Sequence, residues 1–138
     1  MRSVLAIARA GGTKPMQIQE LSRTEGIPVK FLEQILLILK RAGMLRSKRG
    51  IGGGYQLEMS PEEITLGAIV TLIDGPFAPI SLTPPDTDKT PAGLRPEELG
   101  LHQCFTELQQ LVNGHLDRHT LKDILDNERP KSVLAFDI

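Results

Sequence analysis

The chain has no tryptophan, one tyrosine and four phenylalanines in 138 residues, so stacking platforms for single-stranded nucleic acid are almost absent. That counts against an RNA-binding or single-strand module. A single cysteine, Cys104, rules out an intrachain disulfide and fits a reducing cytoplasm. No apolar run approaches the roughly 20 residues of a membrane span. The opening MRSVLAIARAGG holds a short apolar run, Val4 to Ala8, before Arg9 interrupts it. A secretory h-region needs roughly 7–15 residues. A soluble cytoplasmic protein with no membrane partner is expected. Histidine is also scarce. His102, His115 and His119 fall in or beside one helical pattern, and His115 and His119, though i, i+4, lack the intervening Glu of a zinc-protease helix. With no metal cluster and no nucleophile paired to a base, an enzyme is not expected.

What is present is an asymmetry of charge. Residues 1–56 hold ten Lys and Arg against three carboxylates, a net of +7. The remainder holds six cations against fourteen carboxylates, a net of −8. A basic half joined to an acidic half suggests a polyanionic partner for the first. An unevenly charged but merely solvated surface would give the same count.

Apolar spacing supplies the architecture. Residues 2–10 read as a helix stopped by Gly11-Gly12, and MQIQELSRTEGI as a short helix with Ile18 and Leu21 on one side, ended by Gly26. PVKFLEQILLILKRAG places Pro28 in the first turn and Gly43 at the stop. Its Leu32, Ile35, Leu36 and Leu39 recur at i, i+3, i+4, i+7. Leu37 and Ile38 widen that stripe, so burial nearly all round is expected for the C-terminal half of this helix. Lys30, Glu33 and Gln34 share the opposite, polar face of its first half. A short helix, a glycine turn and a longer helix with a polar N-terminal face is the helix-turn-helix arrangement, whose second helix enters the major groove. A helical hairpin without that role has the same spacing.

The next segment, LRSKRGIGGGYQL, sets cations and glycines together. MLRSKR and YQLEM read as short strands, and GIGGG supplies residues able to take positive φ at a hairpin connection. A phosphate-binding glycine loop runs from a strand into a helix, whereas this one runs into the extended Tyr55-Gln56-Leu57 with no GK[ST]. The segment therefore reads as the wing of a winged helix. Arg46, Lys48 and Arg49 form its cationic edge, able to reach phosphates or to put an arginine into the minor groove. Gly52 and Gly53 let the backbone approach a duplex closely.

Beyond the wing, Ser60 with Glu63 forms a possible capping box. Thr65 is an alternative cap for a helix from Leu66 to Asp74, with Ala68, Ile69, Leu72 and Ile73 turned inward and Gly75-Pro76 at its end. Six of the ten prolines fall in residues 75–96, the mark of an irregular loop. Leu101, Phe105, Leu108 and Val112 then repeat at four and three, extended by Leu111 and Leu116. That seam suits a symmetry mate's helix, or packing on its own domain. Thr120 caps a short last helix before a loosely held tail. The expected fold is mostly α with a small β-hairpin. Its parts are a winged helix-turn-helix domain at 1–76, a Pro-rich loop at 77–96, a dimerisation helix and short C-terminal helix at 97–127, and a tail at 128–138.

Residues 16–76 closely resemble the winged-helix domain of IscR/NsrR-type bacterial transcription regulators. The markers are FLEQIL in the recognition helix, RAGM after it, RGIGGGYQL in the wing and EEITLGAIV followed by DGP. The resemblance resumes at HTLKDIL and spans about residues 2–126. It implies a homodimer, paired through the long helix, that regulates transcription, as a repressor, by reading double-stranded DNA at a pseudo-palindromic operator. Lys30, Glu33 and Gln34 would face the bases, and Arg49 would sit where the wing's minor-groove arginine is expected. A carboxylate such as Glu33 accepts from cytosine N4 and tunes sequence preference. A winged-helix protein-interaction module that no longer binds DNA is the alternative.

Two departures from that family stand out. Sensing members hold an iron–sulfur cluster on three cysteines in and after the Pro-rich loop, and here that loop has none. Cys104 and His102 remain as weak candidate ligands, one of each per chain, which could complete a four-ligand set for an iron–sulfur cluster only across a dimer, although cluster ligation leans on thiolates. No cofactor is therefore expected, and Cys104 reads as a buried packing residue. The resemblance also implies further residues ahead of Val4, among them a Tyr-Ala pair, that would contribute to the first helix.

Overall fold

The computed structural model describes residues 1–11, 14–75 and 95–128. They form six helices and one antiparallel hairpin: α1 (Arg2–Arg9), α2 (Ile18–Glu25), α3 (Val29–Arg41), β1 (Leu45–Lys48), β2 (Gly54–Leu57), α4 (Leu66–Asp74), α5 (Pro96–Arg118) and α6 (Leu121–Asn127). Most of the Pro-rich segment expected as a loop, and the tail after Glu128, lie outside the described residues. Among the described residues no helix is long and apolar enough to cross a membrane.

The stops are chemical. Gly26 ends α2 in the left-handed region at φ +65, where a Cβ would be strained, and its N–H returns to the Ser22 carbonyl. Pro28 sits one residue earlier than expected, at the N-cap of α3 rather than inside its first turn. Thr65 caps α4 through its side-chain oxygen, which accepts from the Ala68 N–H. The Ser60 N–H donates to the Glu63 carboxylate at 3.0 Å, but that half of a capping box closes a turn and not a helix.

The core gathers Val4, Leu5 and Ile7 of α1, Leu21 of α2, Leu32, Leu36 and Leu39 of α3, Met44, Leu45, Ile64, Ile69 and Leu121. The i, i+3, i+4, i+7 stripe of α3 is its centre, with Leu32, Leu36 and Leu39 sealed from solvent. The all-round burial expected for the second half of α3 does not hold, because Leu37 and Ile38 are exposed. Only the stripe of Leu32, Leu36 and Leu39 is sealed in the core, and no described element covers Leu37 or Ile38. Leu72 of α4, expected inward, is likewise exposed, while Ile69 is buried and Ala68 and Ile73 pack against the core.

α6 belongs to this same core. Leu121 is fully buried and its N–H donates to the Ile64 carbonyl at 2.9 Å, while the Leu66 N–H donates to His119 O at 2.8 Å. Thr120 and Asp123 close a reciprocal capping box at its start. At its far end Arg9 of α1 makes a two-pronged pair with Glu128, with both N–O distances 2.7 Å. These bonds hold the Glu128 carboxyl below its ordinary range through the Arg9 side chain, and that of Asp123 through the Thr120 backbone and hydroxyl. A carboxyl with a lowered folded pKa binds fewer protons folded than unfolded at the same pH, so stability rises with pH across that gap. The attachment of α6 is therefore complete above about pH 4–5 and weakens as pH falls through the lowered folded values. Asp123→Asn combined with Glu128→Gln should flatten the drop in melting temperature between pH 6 and pH 3. An unchanged drop in scanning calorimetry would assign it to other carboxylates.

Candidate nucleic-acid interface

Two short elements bring the predicted cations together. The α2–turn–α3 pair packs across Leu21 and Leu32, which leaves Lys30, Glu33 and Gln34 on the solvent side of α3, all exposed. Lys40 and Arg41 extend that side to the helix C-terminus, where they also favour the negative end of the helix dipole. Lys40 reaches over to β1, its Nζ 2.6 Å from Ser47 Oγ, and so ties the C-terminal end of α3 to the hairpin.

The hairpin pairs Leu45 with Leu57, Arg46 with Gln56, Ser47 with Tyr55 and Lys48 with Gly54. Alternation buries Leu45 and turns Arg46 and Lys48 to the opposite face. Arg46 lies 3.7 Å from Glu58, a long contact between half-exposed groups that is worth little in water. Lys30, Lys48 and Arg49 make no ion pair among the described residues, and all three are exposed. Their charge is unneutralised on this side of the molecule.

The glycines of the wing divide their tasks. Gly52, at φ +76 and exposed, forms the tip with Ile51. Gly53 is buried, and a Cβ on it would run into the carbonyls of Lys48 and Gly50, so glycine is needed there to close the turn. Gly54 takes φ +143 with the Met16 carbonyl against the place of its missing side chain. Here β2 gains a second neighbour: Met16 N–H donates to Tyr55 O at 2.9 Å and Tyr55 N–H to Met16 O at 2.8 Å. The wing is thereby fastened to the entry of α2. Sequence patterning overlooked Met16 and Gly54 in this role. The triple glycine was the available signal, since a hairpin connection alone needs fewer.

The second face of interest is on α5. His102, Thr106, Gln109 and Asn113, a polar row, are half-buried on one side, and α5 packs against α4 where Gly67 meets Asp117 without room for a Cβ. The apolar seam runs beside that row. Leu101 is 51% exposed and Leu108 41%, with Phe105 and Val112 half-buried beside them. Cys104, expected buried, is exposed, because it lies on this outward side of α5 and not against α4. The rings of His115 and His119 lie with centroids 4.3 Å apart, tilted by 38°, and His119 Nδ1 lies 2.8 Å from His115 O.

A family model, Rrf2, described as an iron-dependent transcriptional regulator, matches residues 1–127. The chain belongs to the Rrf2 family. It is a DNA-binding transcription regulator of winged-helix fold, and the family and its members are regulators rather than enzymes. The rrf2-like HTH-type regulator of Rhodobacter capsulatus is 32% identical over 94% of this chain and 87% of its own. The HTH-type regulator CymR of Bacillus subtilis is 28% identical over 88% of this chain and 80% of its own. The solved CymR structure, the global cysteine regulator of B. subtilis, superposes with a TM-score of 0.72 at 26% identity, covering 90% of this chain and 88% of that one. The IscR structure of T. potens has the same fold, with a TM-score of 0.72 at 21% identity, covering 97% and 88%.

The Rrf2 description raises the question of iron. An iron–sulfur cluster is held mainly by cysteine thiolates, and this chain has one cysteine. Among the described residues no three or more His, Cys, Asp or Glu side chains converge on a point where a metal ion could sit. One cysteine is fewer thiolates than a cluster held within a single chain uses.

Proposed function

We propose that this Rrf2 regulator acts as a homodimeric repressor that reads a pseudo-palindromic operator without an iron–sulfur cluster. Each α3 enters a major groove, with Lys30, Glu33 and Gln34 at base edges. Each wing lies along the flanking backbone, with Arg46 and Lys48 on phosphates, Gly52 at the point of closest approach and Arg49 in the minor groove. The observation that carries the reading is the unneutralised cationic side shared by α3 and the wing, tied together by Lys40 and by the Met16–Tyr55 pair. Homodimerisation is supported by the apolar seam of Leu101, Phe105, Leu108 and Val112, in which Leu101 and Leu108 are exposed and Phe105 and Val112 half-buried among the described residues. A repeated interface about a two-fold axis matches two half-sites one helical turn apart.

The test is a salt titration of operator binding. Neutralised phosphates release counterions, so affinity should fall steeply with salt. Arg49→Ala should weaken binding by roughly tenfold, the scale of one charge-assisted contact. It should also reduce the slope of log affinity against log salt by about one. Binding that is flat with salt, or indifferent to Arg49, would remove the wing from the interface.

A further inference from the structure

Two large apolar side chains flank Gln34 on the exposed side of α3. Phe31 is 57% exposed and Leu37 44% exposed, although every other wholly exposed neighbour on that side before Ile38 is polar or charged. Leu37 stands on one line with Lys30, Gln34 and Arg41, at i, i+4, i+7 and i+11, and Phe31 lies one turn before Gln34. No described element covers either side chain. Leaving such groups in water is unfavourable, so a surface that carries them beside a reading amide is suited to an apolar partner.

The surroundings name that partner. Lys30, Lys40 and Arg41 border the patch and favour a polyanion, and the patch is continuous with the side of α3 assigned above to base edges. In the major groove of B-DNA the apolar group on offer is the C5-methyl of thymine. An amide takes adenine N7 and N6 in a bidentate pair, and the thymine methyl stands at the other end of the same base pair. A glutamine with aliphatic or aromatic carbon on either side therefore complements the whole major-groove edge of an A·T pair. A G·C pair presents no methyl and reverses the donor pattern.

We infer that Leu37 and Phe31 read thymine methyl groups beside the adenine held by Gln34, so that α3 selects A·T pairs by both bases. This rests on the proposal that α3 faces the bases. The experiment first selects bound duplexes from a randomised library with the full chain. Each thymine of the selected duplex is then replaced in turn by deoxyuridine, which removes only the methyl. Wild-type protein should bind about fourfold more weakly at one or two positions per half-site, the scale of one buried methyl-sized group. Leu37→Ala or Phe31→Ala, which keep helix propensity, should bind the thymine and uracil duplexes equally at those positions. Uracil tolerated everywhere by the wild type would overturn the inference, as would a thymine preference that survives in both variants. So would a variant that weakens self-association in sedimentation while leaving the thymine-to-uracil ratio intact, since the patch would then be a protein contact. Failure to select any duplex would instead overturn the parent proposal.

Discussion

Gly54→Ala should detach the wing and cost DNA affinity at least tenfold, with a stability loss of roughly 3–5 kcal/mol. Two effects combine at this residue. The backbone holds φ +143, a region that L side chains rarely adopt and that costs about 1–3 kcal/mol to impose on alanine. The new Cβ would also strike the Met16 carbonyl and carbonyl carbon, so the two backbone hydrogen bonds between Met16 and Tyr55 must stretch or break. Each is worth about 1 kcal/mol when intact. Gly50→Ala separates the two effects. Gly50 is at φ +91 with open space where a Cβ would go, so it should show the backbone strain alone, about 1–2 kcal/mol. Urea unfolding of both variants, followed by operator titration, makes the comparison. Equal losses from the two would mean that the close approach of β2 to Met16 contributes nothing.

Leu121→Ala should destabilise by about 2–5 kcal/mol and leave a single unfolding transition. The side chain is sealed in the core that α1, α2, α3 and α4 build, though it lies more than fifty residues beyond the wing in sequence. Its N–H also donates to Ile64 O, and neighbouring His119 O accepts from Leu66 at the first turn of α4. Removing the side chain therefore leaves a cavity at the centre of the DNA-reading unit, not in an appendage. Chemical denaturation followed by far-ultraviolet circular dichroism reads the loss. A change under about 0.5 kcal/mol, the scale of an ordinary surface substitution, would place α6 outside the cooperative core.

Local chemistry made much of this protein legible from its residues. The stripe of Leu32, Leu36 and Leu39, the glycine stops at Gly26 and Gly43, the caps at Thr65 and Thr120 and the hairpin at residues 45–57 all follow from spacing or from a backbone conformation that one residue type supplies. The polar face of Lys30, Glu33 and Gln34 was legible in the same way, since an amphipathic helix that buries one stripe must expose the other.

The expectations that failed share a cause. Leu37, Ile38 and Leu72 are as apolar as their buried neighbours, and Cys104 belongs to a residue type commonly found buried. Their exposure depends on which other element arrives, and periodicity within one helix cannot say where its partners stop. The burial of Gly53 and the clash at Gly54 likewise depend on Lys48 and Met16 lying close in space.

By itself, then, the sequence determined the helices, their ends, the wing and the basic half, because helix period, capping and turn chemistry act within a few residues. Only the tertiary structure decided that Met16 fastens the wing, that Leu121 completes the core, and that α3 and α5 each keep large apolar side chains exposed among the described residues. Those outcomes are set by packing between distant segments, where the available space and the geometry of approach outweigh the preference of any single side chain.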